Sequence, residues 1–169
     1  MADSLDEPQI LNLCALMHEE NRPQHPLSWA KVVPMIRLAT QHERGMIGVI
    51  GDRGDLKAAI LLVIEPIWYS DDWHLLEYFN FVRPDARKST YAKDLINYAK
   101  SISDALHINL TIGVFSSERT EAKVRLYRRL LPCTGAFFSY RPESISIHRQ
   151  EAGAMILANA PPANSIAAE

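Results

Sequence analysis

The sequence places a single carboxylate where a carboxylate is costly. Glu77 lies within the run Trp73–Val82, which is otherwise rich in aromatic and aliphatic residues. Burial there raises a glutamate from its ordinary pKa of ~4.3 toward the range in which it takes a proton from an ammonium group, directly or through water. The same residue also reads as an edge-facing or salt-bridged glutamate. His74, three residues earlier, falls on the opposite face of a regular strand unless a bulge intervenes, and is the reserve base. A second chemistry-bearing segment follows at once: Arg83-Pro84-Asp85-Ala86-Arg87-Lys88-Ser89-Thr90-Tyr91-Ala92. Here a strand runs into a short loop, and the loop opens a long helix. The first amides of a helix have no internal partners, and with the helix dipole they form an anion site. Arg87 and Lys88 add positive charge, and the small side chains of Ser89, Thr90 and Ala92 let a phosphate approach the backbone. A diphosphate fits this arrangement. A basic dipeptide at a helix start is also an ordinary solvated cap.

These residues must be positioned by the elements around them. Ile10, Leu13, Cys14 and Met17 form one helical stripe over residues 7–20, with Pro8 suited to a first helical position. Ser28 caps a second helix with Trp29, Val32, Val33 and Ile36 on its apolar side, and Pro34 predicts a kink or a restart. Met46–Ile50 is a strand, residues 51–55 a glycine-bearing hairpin turn, and Leu56–Glu65 a strand apolar enough to be covered on both faces. Trp73–Val82 is the third strand. A helix is expected from Lys88 to Leu106, buried along Ala92, Leu95, Ile96, Ala99, Ile102 and Leu106. Ile108–Phe115 alternates as a strand, residues 118–131 form a helix, and Gly135–Tyr140 and Ser144–Arg149 read as a final pair of strands. The order predicts an α+β layered fold with a mixed, mostly antiparallel sheet and helices on both faces. Residues 1–150 are expected to form one domain and 151–169 a flexible C-terminal tail.

Composition bounds the function. The chain has 169 residues, 47% of them hydrophobic, which suits one domain with one sizeable core. Its net charge of −2 does not support a broad nucleic-acid surface. Cys14 and Cys133 have no pairing pattern, and the six histidines lack zinc-ligand spacing, so no metal is expected. The acidic, polar start is unlike a signal peptide, and no apolar run approaches the ~20 residues of a membrane helix, so a cytoplasmic protein without membrane association is expected.

The segment after Glu77 resembles the acyl-CoA binding motif of the GNAT N-acetyltransferase superfamily, Val-x-Pro-x-x-Arg followed by Arg/Gln-x-x-Gly-x-Gly/Ala. Val82, Pro84, Arg87 and Ala92 match it, and Thr90 stands where the family most often has glycine. Downstream, Leu126-Tyr127 in a helix and Gly135-Ala136-Phe137 after it resemble the family's next motif, with a longer gap between them. The similarity spans roughly residues 8–149. A strand that usually precedes the first helix has only a few residues available to it. The end of that helix, Met17–Asn21, is similar to small phage and bacterial acetyltransferases.

The resemblance implies an acyltransferase that moves an acetyl group from acetyl-CoA to a primary amine of a small molecule or protein, by direct attack in a ternary complex. It implies that the strand end at Phe81 and Val82 pairs with the pantetheine arm, and that the amides of Lys88, Ser89, Thr90, Tyr91 and Ala92, beside Arg87, hold the pyrophosphate. Ser116 is placed to contact the pantetheine. Tyr127 is the implied general acid, since a phenol of pKa ~10 can protonate a departing thiolate in a dry site. Carboxylates at Glu19 and Glu20, with His18, would border an amine-acceptor pocket or simply end a helix, and Trp68, Tyr69, Asp71 and Asp72 would border the same pocket. Arg119, Lys123, Arg128 and Arg129 read as a solvated helical face, with Lys123 or Arg119 alternatively within reach of the adenosine phosphates. Thr90 favours an alternative, a non-catalytic acyl-CoA-binding or regulatory relative. A nucleic-acid-modifying acyltransferase is a third reading, and a homodimer is compatible with an exposed sheet edge.

Overall fold

A computed structural model describes residues 1–21, 25–114, 116 and 119–135. The elements all fall within Met1–Cys133; Thr134 and Gly135 are the described residues of a second unit that runs to Glu169. Helix α1 (Glu7–Asn21) and helix α2 (Trp29–Thr40) precede strands β1 (Gly45–Asp52), β2 (Asp55–Pro66) and β3 (Trp73–Val82). Helix α3 (Tyr91–Leu106), strand β4 (Asn109–Thr111) and helix α4 (Thr120–Leu130) follow. The described strands form one sheet in the order β1-β2-β3-β4. The first two pairings are antiparallel and β3–β4 is parallel, so the fold is α+β with a mixed, mostly antiparallel sheet.

Strand β2 explains the layering. Its side chains alternate between two apolar clusters, as the period of a strand requires. Ala59 and Leu61 join Phe79 and Phe81 of β3 under Ile10, Leu13 and Cys14 of α1 and Ile36 and Ala39 of α2. Ala58, Ile60 and Leu62 join Leu75 under Leu95 and Ala99 of α3. Helices therefore cover both faces. Tyr98 of α3 packs so closely on Gly48 of β1 that a Cβ there would lie 2.6 Å from its ring. A larger residue at Gly48 would have to displace the Tyr98 ring. No helix among the described residues is long and apolar enough to cross a membrane.

Several expectations from sequence need correction. Helix α2 continues unbroken through Pro34. The carbonyl that loses its partner is that of Ala30, an exposed residue in the first turn, within reach of solvent. Ser28 is its N-cap by backbone geometry but makes no side-chain capping bond, and Trp29 is 46% exposed rather than packed. Helix α3 begins at Tyr91 rather than Lys88, because Pro84–Ala86 forms a separate single turn first. Strand β4 covers Asn109–Thr111, while Ile108 and Ile112–Val114 of the expected 108–115 are not in it and Phe115 lies outside the described residues. At the amino end, Ala2 donates its amide to the Ile47 carbonyl at 2.9 Å, a single sheet bond in place of a whole preceding strand. Residues 136–149, where the final strands were expected, and the tail lie outside the described residues.

Candidate active site

The site begins where the sheet comes apart. Parallel pairing of β3 with β4 covers His74–Leu76 against Asn109–Thr111 and goes no further. On its other side β3 stays paired with β2, but the register shifts: Leu62 faces Glu77, Leu61 faces Phe79, and Tyr78 is the extra residue. This bulge has a geometric consequence. Residues three apart in a regular strand point to opposite faces. Across the bulge, Glu77 and Asn80 lie opposite Leu62 and Ile60, which share the α3-side cluster, so the two polar residues share a face. His74, opposite Glu65, precedes the bulge and stays on the other face from Glu77.

Glu77 and Asn80 both meet α4. The Asn80 side-chain amide donates to the Tyr127 hydroxyl at 3.3 Å. Lys123, one turn before Tyr127, donates its ammonium to the Asn80 backbone carbonyl at 3.3 Å. Burial pushes the Glu77 carboxyl up to about 7, while the Lys123 charge and a bond from the Gly113 backbone N–H hold it down. Gly113 lies just past β4, so this glutamate spans the gap left where the strand ladder stops. Burial, and then the neighbouring Glu77 charge, push the Tyr127 phenol well above its ordinary value. Tyr127 therefore keeps its proton at neutral pH. Because its oxygen accepts from Asn80, that proton is left to be given elsewhere. Burial lowers the Lys123 ammonium, and Glu77 and Glu20 draw it back.

The loop into α3 supplies the other wall. Arg83 anchors it: its amide donates to the Lys57 carbonyl at 2.8 Å, and its guanidinium grips Asp55 at 2.7 Å and Asp85 at 2.8 Å. Ser89 donates its hydroxyl to the Ala86 carbonyl at 2.6 Å and accepts from the Tyr91 amide at 3.3 Å. The amides of Lys88, Thr90, Ala92 and Lys93 have no acceptor among the described residues, as expected at a helix start. Thr90 has φ −83° and ψ −3°, open to any L residue, so threonine in the family's glycine place carries no backbone strain. Its hydroxyl donates to the Asp94 carboxylate at 2.6 Å. Arg87 turns inward. Its Nε donates to the Val82 carbonyl at 3.0 Å, its guanidinium pairs with Glu20 of α1, and it lies 5.6 Å from the centre of the Phe81 ring.

Between these walls lies a cleft of about 150 Å³. Asn80, Phe81 and Val82 of β3 line one side, and Arg87, Ser89 and Ala92 another. Helix α4 contributes Ala122, Lys123, Leu126 and Tyr127 with its N-cap Arg119, and α1 contributes Glu20 and Asn21. Of the residues expected from sequence, Phe81, Val82, Arg87, Ser89, Ala92 and Tyr127 line the cleft. Glu77 reaches it through its electrostatic contact with Lys123 and Tyr127. Lys88, Thr90 and Tyr91 belong to the same loop but are not in the lining. Ser116 sits at the entry of α4, accepting from the Arg119 amide at 3.3 Å and from the Thr120 hydroxyl. Sequence reasoning passed over Asn80, read Lys123 as solvated or reaching the adenosine phosphates rather than as a neighbour of Glu77, and left Glu20 undecided. A lone amide in an apolar strand was a usable signal for Asn80, and spacing of one turn from Tyr127 for Lys123; Glu20 meets Arg87 only through the fold.

No family model matches the sequence, and no curated protein matches it. Solved structures do. The aminoglycoside acetyltransferase meta-AAC0020 from an uncultured soil metagenomic sample superposes with a TM-score of 0.64 at 11% identity, covering 86% of this chain and 93% of that one. The AAC(6')-Iy structure in complex with the bisubstrate analogue CoA-S-monomethyl-acetylneamine gives 0.63 at 14% identity, covering 84% and 95%. The ribosomal-protein-alanine N-acetyltransferase from Brucella melitensis biovar Abortus 2308 gives 0.57 at 16% identity, covering 82% and 94%. With most of each chain matched and the strand, loop and helix of the cleft in the same order as the motif at Val82–Ala92, this chain has the fold of the GNAT N-acetyltransferases.

Proposed function

We propose that the protein is an acetyl-CoA-dependent N-acetyltransferase acting on a primary amine of a small molecule or protein, with residues 1–150 as the acyltransferase domain and 151–169 as its tail. The observation that carries this reading is the cluster at the bulge: a base near neutrality, a protonated phenol and a strand end that has parted from β4 meet beside one cleft. The cleft residues suit a thioester donor. The strand end at Phe81 and Val82, which pairs with β2 but not with β4, would align a pantetheine arm once Lys123 and Arg87 release its carbonyls, and the amides of Lys88, Thr90 and Ala92, in the loop with Arg87, Ser89 and Tyr91, would hold a diphosphate. Ser116 would add a polar contact. The donor supplies an activated acyl group. Glu77 takes the proton from the attacking amine, and Tyr127, oriented by Asn80, gives its proton to the departing sulfur. Lys123 keeps part of the Glu77 population ionised at neutral pH.

A second reading, a binder without turnover, draws on the Thr90–Asp94 contact, which sets a carboxylate beside the loop meant for an anion. Calorimetry with acetyl-CoA, followed by thiol release over an amine panel, tests both. Binding with release supports the enzyme, binding without release supports the second reading, and no binding refutes both.

A further inference from the structure

The cleft contains an amine of its own. Lys123 sits on the inward side of α4 and lines the cleft together with Asn80, Arg87 and Tyr127. Its ammonium touches the Asn80 carbonyl at 3.3 Å, and the side chain of the same asparagine touches the Tyr127 hydroxyl at 3.3 Å. Glu77 acts by charge on both Lys123 and Tyr127. Lys31, Lys93 and Lys100, by contrast, are exposed. Forming an amide from a thioester requires an amine, a base for its proton and an acid for the leaving sulfur. All three are present in this chain before any acceptor enters.

We propose that Lys123 is itself an acyl acceptor, so that the protein acylates its own cleft when a thioester donor is bound and no other amine competes. The inference rests on the donor-binding reading above. Lys123 first gives up its ammonium proton to solvent, which the buried setting favours. The neutral Nζ then forms a C–N bond to the thioester carbonyl carbon as the C–S bond breaks, its electron pair leaving on sulfur. Glu77 takes the proton released from nitrogen, and Tyr127 protonates the sulfur and regains a proton through Glu77 and solvent. The products are an Nε-acyl lysine and a free thiol. The amide is uncharged, so the cation beside Glu77 is lost and the cleft is partly filled. Modification therefore limits further turnover.

The test uses the full chain with acetyl-CoA and no added amine, read by calorimetry for binding and by peptide mass mapping for the modified lysine. The expected result is one acetyl group on Lys123, gained about a hundredfold faster than on Lys31 or Lys100. Glu77→Gln is expected to remove most of that excess while the slow background at Lys31 and Lys100 persists, and an added acceptor amine is expected to slow the gain at Lys123. Lys123→Arg, which keeps a cation, checks by its Tm and its acetyl-CoA binding heat that the cleft is intact. Binding heat with Lys123 unmodified, or modified no faster than Lys31, overturns self-acylation and leaves donor binding standing. Absence of binding heat overturns both.

Discussion

From His74 to Leu76, β3 is paired on both sides, antiparallel to β2 and parallel to β4. From Phe79 to Val82 it keeps β2 and loses β4, and the carbonyls of Asn80 and Val82 are taken by the side chains of Lys123 and Arg87 instead. The two halves are one strand of similar residue types separated by the Tyr78 bulge. A backbone ladder is given up only cooperatively, whereas a lysine or arginine side chain swings away by rotating a few bonds. The first half is scaffold. Among the described residues the second has side chains where the first has a neighbouring strand, and the proposed pantetheine contact would take their place.

Substitutions on either side of the bulge should separate these two roles. The largest effect is expected from Glu77→Gln, which should lower kcat by about a thousandfold in a thiol-release assay by removing the base. On the scaffold side, Leu75→Ala should cost about 3 kcal/mol in chemical denaturation while leaving kcat per folded molecule unchanged, because Leu75 is fully buried under α3. Glu77 also links the halves through pH. Its folded pKa of about 7 stands above the ordinary 4.5, so the folded state holds the proton more tightly than the unfolded chain. Its contribution to stability is present at low pH and is lost as pH rises through about 7, a cost on the order of 3 kcal/mol above that point. Glu77→Gln should therefore stabilise the protein at about pH 8 and change little at about pH 4, read by thermal melts. Over the same range kcat/KM of the native protein should rise with pH through about 7, and the variant should lose that inflection. The smallest effect is expected from Asn80→Ser. By freeing the Tyr127 hydroxyl to turn, it should lower kcat by about tenfold with little change in KM. A rise in KM with kcat unchanged would instead make Asn80 a binding residue.

Much of the scaffold was legible in the sequence. The unbroken apolar run of β2 announced two covered faces, the stripe through Leu95, Ile96 and Ala99 announced the inward side of α3, and the bounds of β3 were read as Trp73–Val82. The site was legible in part. Glu77 and Tyr127 stood out by residue type and place, and the structure brings them within electrostatic reach of each other. Lys123 was read as part of a solvated helical face, since a basic helix turn looks the same in sequence whether it meets water or a cleft. Pro34 announced a kink or a restart, and the helix does not restart there, since the cost of the missing N–H depends on whether water reaches the carbonyl left behind.

What the sequence by itself determined is periodic and local: which residues are apolar, at what spacing, and where glycine and proline interrupt them. Those properties belong to a residue and its near neighbours, so burial of β2 and the amphipathic helices follow from them. What only the tertiary structure decided is relational. The Tyr78 bulge exists only against the register of β2, the early end of β4 only against β3, and the pairing of Glu20 with Arg87 only once α1 lies beside the loop. The proton affinity of Glu77 belongs to the same class. It is a balance between lost water, one lysine from α4 and one amide from beyond β4, and no stretch of chain contains all three.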